Sequence, residues 1–524
     1  MQPFPILLNV EICHAVDRKT RVCSIMQEDP PTSFGKWRSL FWPIHRWELK
    51  KFLPMFFMFF LISFNYNALR ACKDSLVVTA PQSGAEAIPF IKVWAILPGA
   101  FLLTFLFTRL ANRFSLEKVF YIMMCLFLGF FMLFTFALFP LQEHVHPTLL
   151  ADKLQAILPE GLKGLVAMFR NWTFTLFYVM SELWGTAILS VLFWGFANEV
   201  TRVGEAKRYY GLLMIGANLA GILSGQASVF LSGNTFFSFL PYGKCSWDQS
   251  ILFLNILIIV SGVMTIGIFR WLNHNVIRNS AQYKPKEKIK MSMRKNFAYL
   301  AKSKYLLLIS LIVLTYNIAI NLIEVVWKNQ IKELYPNPSD YNMYMGEVMT
   351  LMGVIATMTA VLTAFAIRRF SWTFNAMIPA IMMLITGVGF FLLVLFPHSG
   401  LIWIAAAFGA SPLMLSVTLG GLQNCIGRAT KYTIFDATKE IAFIPLNAES
   451  KLKGKAAIDG VGSRIGKSGG AVIHQTLLLF FSTVAACTPF VAGIFIIAIL
   501  IWIVSAVSLG KRFDQLTSPN LGTV

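Results

Sequence analysis

Long apolar runs separated by short polar connections set the layout of this chain. A helix crossing a hydrocarbon core of about 30 Å takes roughly 20 mostly apolar residues, and twelve windows of that kind follow one another. The first six cover residues 52–69, 87–107, 119–141, 172–196, 209–231 and 251–272. The second six cover 305–327, 346–367, 372–396, 401–426, 461–484 and 490–509. Strands of a membrane barrel would alternate apolar and polar side chains over segments of about ten residues. Runs such as 123–136 and 495–503 do not alternate, so the windows predict helices. The fourth, seventh and eleventh each carry a charge inside the apolar run.

Composition strengthens the membrane reading. The 524 residues are 56% hydrophobic, 14% aromatic and only 13% charged, against about 25% charged in ordinary soluble domains. The seven cysteines form no CxxC spacing and no even framework, so neither a zinc site nor structural disulfides are expected. A net charge of +20 would suit nucleic acid or an anionic membrane surface, and the placement of the basic residues separates the two. With loops assigned to alternate sides, 33 of the 45 Lys and Arg fall on the side of both termini, 8 on the other and 4 inside windows. The positive-inside rule then places both termini in the cytoplasm of a multi-pass inner-membrane protein. A topology signal accounts for the charge without nucleic acid.

A basic stretch around Lys284, Lys286, Lys288, Lys290, Arg294 and Lys295 follows the sixth window and divides the windows six and six. This predicts an all-α, major-facilitator-like architecture, two bundles with substrate held between them. The expected parts are a cytoplasmic segment 1–51, bundles 52–272 and 305–509, a basic linker 273–304 touching lipid headgroups, and a tail 510–524. Residues 1–25 lack the features of a secretory signal. Met26 opens a polar segment, and is the expected true start.

An ionisable side chain in a span costs on the order of 3 kcal/mol or more unless paired or hydrated, so each marks a candidate site. Lys92, Glu182, Glu324 and Lys467 are such residues, one cation and one anion in each half. Arg464 lies one helical turn before Lys467 on the same face. Each has a plain structural alternative. Lys92 sits near the start of its window and would snorkel; Glu324 has Lys328 at i+4; Glu182 would pair with another span. The segment 460–470 resembles a GxxxxGK[ST] phosphate loop but has Val461 where the first glycine belongs, and no strand precedes it. Gly462, Gly466 and Gly470 instead have the small-xxx-small spacing of close helix packing. His474 titrates near neutral pH in water, which would suit proton coupling alongside Glu182 and Glu324; a buried, hydrogen-bonded histidine is the plain alternative.

Five stretches carry a family resemblance: Ile88-Pro89-Phe90-Ile91-Lys92, Ser181-Glu182-Leu183-Trp184-Gly185, Phe193-Trp194-Gly195-Phe196-Ala197-Asn198, 321–328 and 453–459. Together they resemble the nucleotide transporters of obligate intracellular bacteria and plastids, the ATP/ADP translocases of chlamydial and rickettsial type. The likeness runs from about Ser33 to Arg512. It implies import of ATP in exchange for ADP and phosphate or, in sister members, proton-coupled net import of nucleoside triphosphates, GTP, CTP and UTP included. The family's functional charges, two Lys and two Glu, fall on Lys92, Glu182, Glu324 and Lys467. Two places depart from its pattern: Ala71-Cys72-Lys73-Asp74, in what reads as the first external loop, and Cys425-Ile426-Gly427-Arg428.

A triphosphate with about four negative charges costs roughly 9 kcal/mol to import against 100 mV, at 2.3 kcal/mol per charge. Exchange or proton symport must offset this. Lys92, Arg464 and Lys467 are expected to attract phosphates, with Glu182 and Glu324 holding those cations in the empty site. A membrane enzyme acting on phosphorylated lipids would need closely spaced metal-binding Asp, which the sequence lacks. A receptor or scaffold would bring a soluble domain, and no loop is long enough for one. The expectation is therefore a transporter, not an enzyme, with no cofactor, no metal and no obligate protein partner.

Overall fold

The computed structural model describes residues 42–233, 236–277, 303–397, 409–446 and 463–517, with Arg38, Gly454 and Ile458; the side chains at 203, 207, 364, 368 and 463–465 fall outside it. Residues 1–25, most of the basic linker and most of the 453–459 motif lie outside the described residues. Residues Met1–His45 and Arg46–Val524 are separate compact units. In the first, Arg38 Nη2 donates to the Ile44 carbonyl at 3.2 Å.

The second unit is helical throughout its described residues. In chain order the long helices are α1 (Leu49–Val78), α2 (Ala87–Arg113), α3 (Leu116–Leu138), α4 (Trp172–Val200), α5 (Val203–Leu231) and α6 (Ser246–Ile277). The second set is α7 (Lys304–Leu334), α8 (Pro338–Arg369), α9 (Trp372–Leu395), α10 (residues 412–442), α11 (Ser463–Phe481) and α12 (Val484–Thr517). Starts fall where a side chain can accept from an orphan amide: Ser371 Oγ takes the Phe374 N–H at 3.3 Å and Ser411 Oγ that of Met414 at 3.1 Å.

Among the described residues ten helices are long and apolar enough to cross a membrane, not the twelve expected. The exceptions are α10, the first part of whose window (401–408) is not described, and α11. Both carry polar residues at a density that apolar windows exclude: Gln423, Asn424, Arg428 and Lys431 on one, Lys467, Ser468 and His474 on the other. The ends also differ from expectation. Helix α1 runs nine residues past Leu69, so Arg70, Lys73 and Asp74 belong to a helix rather than to an external loop. Helix α10 continues past Ile426 through a π-helical turn, Lys431–Phe435, to Ala442.

Helix α5 packs along α8 and α1, and α7 along α12 and α11. The first and second sets of helices meet where α5 crosses α8 and α2 crosses α11. At the α5–α8 crossing a Cβ on Gly225 would lie 2.4 Å from the Gly346 carbonyl oxygen, so only glycine permits this approach. Large apolar side chains such as Phe101, Leu102, Phe105, Val361, Leu362 and Phe365 point outward, as a lipid-facing surface requires.

Candidate functional site

Polar residues on three helices repeat at helical spacing and converge with residues from α2, α4 and α11. On α1, Ser63, Tyr66, Asn67, Arg70, Lys73 and Asp74 recur every three or four residues, which places them on one face. Asn317, Asn321, Glu324 and Lys328 do the same on α7, and Asn424, Arg428 and Lys431 on α10. Lys467 comes from α11. Three π-helical stretches lie at the same level: Lys92–Ile96 in α2, Gly185–Phe193 in α4 just after Glu182, and Lys431–Phe435 in α10. Such local widening shifts a side chain's direction within a helix and is common at functional sites.

These faces, together with α2 and α4, line a cavity of about 160 Å³. Six cations line it, Arg70, Lys73, Lys92, Arg428, Lys431 and Lys467, against two carboxylates, Glu182 and Glu324. Its lining thus carries a formal charge of +4.

The carboxylates are shared among the cations. Glu324 is approached by Lys328 at 3.0 Å, Arg428 at 3.0 Å and Lys92 at 3.5 Å. Lys92 also donates to Asn321 Oδ1 at 2.6 Å, which joins α2 to α7. Glu182 meets Lys73 at 3.3 Å, and Lys73 in turn lies 3.2 Å from Asp74 and over the ring of Tyr178. Asp74 and Lys328, 0% and 1% exposed at the side chain, pair at 2.8 Å across α1 and α7. A continuous chain of charge therefore runs Glu182–Lys73–Asp74–Lys328–Glu324, ending on Lys92 and Arg428. Lys467 and Arg70 are different: among the described residues no carboxylate lies within 4 Å of either, and the exposed Lys467 side chain faces the cavity.

Four of the expected site residues, Lys92, Glu182, Glu324 and Lys467, thus come together. The snorkelling alternative for Lys92 fails, since its ammonium points inward to Asn321 and Glu324. Pairing of Glu324 with Lys328 does occur, within a larger network. The Arg464 side chain lies outside the description. His474 is fully buried against Cys487, whose sulfur is 3.7 Å from Nε2, and it does not line the cavity. Gly466 and Gly470 pack α11 on α7: a Cβ there would lie 2.7 and 3.0 Å from the Cβ atoms of Asn317 and Asn321. The packing explanation of those glycines holds, and the phosphate-loop likeness does not. Arg70, Lys73, Asp74 and Arg428 were missed as site residues because hydropathy assigned them to loops.

A second space of about 380 Å³ adjoins the first and shares Tyr66, Arg70, Glu182, Lys431, Tyr432 and Lys467 with it. Its further lining residues, among them Phe59 and Ser63 on α1 and Met214 and Ala217 on α5, lie toward the starts of those helices. The opposite side is sealed. There Ser75 Oγ donates to Asn342 Oδ1 at 3.1 Å and Asn342 Nδ2 to Ser232 Oγ at 2.7 Å, all three buried. Lys332 donates to the Ser83 carbonyl beside them. Gly161 presses on the backbone of Leu478 and Leu479.

Apolar outer faces around a charged chamber, open on one side and sealed on the other, define a multi-pass membrane protein of the major-facilitator type. Two solved structures share its fold: a bacterial homologue of the iron transporter ferroportin in an inward-facing state (TM-score 0.53, 15% identity, covering 90% of this chain and 100% of that one) and a D-xylose-proton symporter (0.52, 14%, 91% and 99%). The chain belongs to the TLC ATP/ADP transporter family, whose model matches residues 27–513. It is 48% identical to ADP,ATP carrier protein 1 of Chlamydia pneumoniae, over 92% of this chain and 94% of that one. It is 46% identical to the protein of that name from Chlamydia trachomatis serovar D (93% of each), and 42% identical to the plastidic ATP/ADP-transporter of Solanum tuberosum (89% and 74%). The family is one of transporters, not enzymes.

Proposed function

We propose that this protein exchanges ATP for ADP across the membrane, holding the polyphosphate in the +4 cavity between the two sets of helices. The observation that carries this is the excess of cations over carboxylates in that chamber; the names of the relatives supply the nucleotides. Lys467 and Arg70 are the first cations to meet the phosphates, because neither has an ion-paired carboxylate to leave. Lys92 and Arg428 follow as the phosphates displace Glu324, and Lys73 as they displace Glu182. The two carboxylates hold the empty site together, and they are the candidates for any coupled proton; sequestered His474 is not. Phosphate enters the same cations.

The basic-residue bias places the side of the second space in the cytoplasm. Taking Arg428 and Lys431 from one side and Arg70, Lys73 and Lys328 from the other, because they belong to the charge network, leaves 31 against 5. Both termini are then cytoplasmic and the Ser75–Asn342–Ser232 seal is external, in an inner membrane. Proteoliposomes preloaded with ADP, or left empty, decide between exchange and net import. Labelled ATP should enter only the loaded vesicles. Equal entry into empty vesicles, driven by a pH gradient, would replace exchange with proton symport.

A further inference from the structure

The second space differs from the first in chemistry. Every charged residue lining it is shared with the +4 cavity, and the rest of its wall is uncharged. Rings line it: Tyr66, Trp194 and Tyr432. Tyr66 lies against Gly185, where a Cβ would be 2.7 Å from the ring, so α4 leaves room for it.

Two buried polar groups on α1 face this space with unspent capacity. Ser63 is 3% exposed and its Oγ has no hydrogen-bond partner. Asn67, one turn on and 8% exposed, donates its Nδ2 to the Ser63 carbonyl at 2.9 Å. A carbonyl partner fixes the amide orientation, so Oδ1 points the other way as an acceptor. A buried polar group left without a partner is costly, which makes Ser63 a mark of a ligand. Asn218 on α5 lines the same space.

We propose that the part of this space beyond the shared charges is the nucleobase subsite, and that Ser63 and Asn67 select an adenine edge. The inference rests on the nucleotide reading above. Ser63 donates to a ring nitrogen while Asn67 Oδ1 accepts from the exocyclic amine. On its N7 edge adenine presents the 6-amino donor beside the N7 acceptor, whereas a 6-oxopurine presents two acceptors there, O6 and N7. Against the latter Asn67 would face an oxygen, so the site discriminates by an unpaired acceptor rather than by size.

Inosine triphosphate carries 6-oxo for the 6-amino group of ATP and a proton on N1 but leaves N7 unchanged, and so isolates this contact on the N7 edge. In ADP-loaded proteoliposomes of the wild-type protein, inosine triphosphate should compete with labelled ATP about tenfold or more weakly than unlabelled ATP does. Asn67→Ala should bring the two competitors within about threefold of each other, by loss of the repulsive acceptor. Equal competition in the wild type would overturn the proposal, and that comparison stands even if the variant fails to fold. An unchanged ratio in Asn67→Ala would overturn it too. Absence of any ATP uptake by the wild type would sink the nucleotide reading with it, whereas equal competition leaves exchange standing.

Discussion

Lys328 and Lys467 are both cavity-level cations, yet they answer to different balances. Lys328 is buried between Asp74 and Glu324; removing it breaks both contacts and leaves buried Asp74 to Lys73, and Glu324 to Lys92 and Arg428, a loss on the order of 3 kcal/mol for a broken buried pair. Lys328→Ala should therefore lower the thermal midpoint in detergent by several degrees. Lys467 has no such partner, so Lys467→Ala should leave the midpoint within about a degree of wild type while uptake falls tenfold or more. Equal melting of the two variants would contradict the division between a structural and a substrate-facing lysine. The cost argument applied to the sequence found Lys92, Glu182, Glu324 and Lys467, because a charge within an apolar run stands out. It lost Arg70, Lys73 and Asp74, because three polar residues at the end of a run read as its end. Their helical spacing with Ser63, Tyr66 and Asn67 was the signal that could have recovered them.

At the scale of elements, α11 is held to α7 by absent side chains. Gly470→Leu would drive four carbons toward Asn321, whose Oδ1 holds Lys92. It should reduce both expression and uptake, whereas Gly469→Ala, with open space where its Cβ would stand, should do neither; equal loss from both would refute the packing account. The connection between α3 and α4 carries a titratable contact. Half-buried His146 shares a hydrogen bond of 2.6 Å with Thr173, and burial lowers its pKa from the ordinary 6.5. The neutral ring is the one the fold accommodates, so its contribution is present above pH 6.5 and is lost as pH falls through the lowered value. Amide protection in residues 142–173, corrected for the intrinsic exchange rate at each pH, should fall on acidification in the wild type and less so in His146→Gln. Helix type, order and approximate position were legible in hydropathy alone. Helix ends and the π-helical stretches were not, since they follow from packing around a polar chamber that no local window records.

For the whole molecule, alternating access requires the sealed side to part. The buried Ser75–Asn342–Ser232 contacts lie directly beyond the Asp74–Lys328 pair, so displacement of Glu182 and Glu324 by phosphates acts on the layer next to the seal. A Ser75→Cys, Asn342→Cys pair, once oxidised, should stop exchange, and reduction should restore it; undiminished exchange through the closed disulfide would refute the seal. The two-set layout and the transporter class followed from spacing and charge bias, while the chamber's +4 balance emerged only when six helices were brought together.

The central claim is that the chamber's excess positive charge binds a polyphosphate, and equilibrium binding tests it without transport. Purified wild-type protein titrated with labelled ATP should bind in a salt-sensitive way and release it to base-free tripolyphosphate; Lys467→Ala, with an unchanged melting point, should bind about tenfold more weakly. ATP binding that ignores tripolyphosphate, or that survives Lys467→Ala intact, would contradict the account.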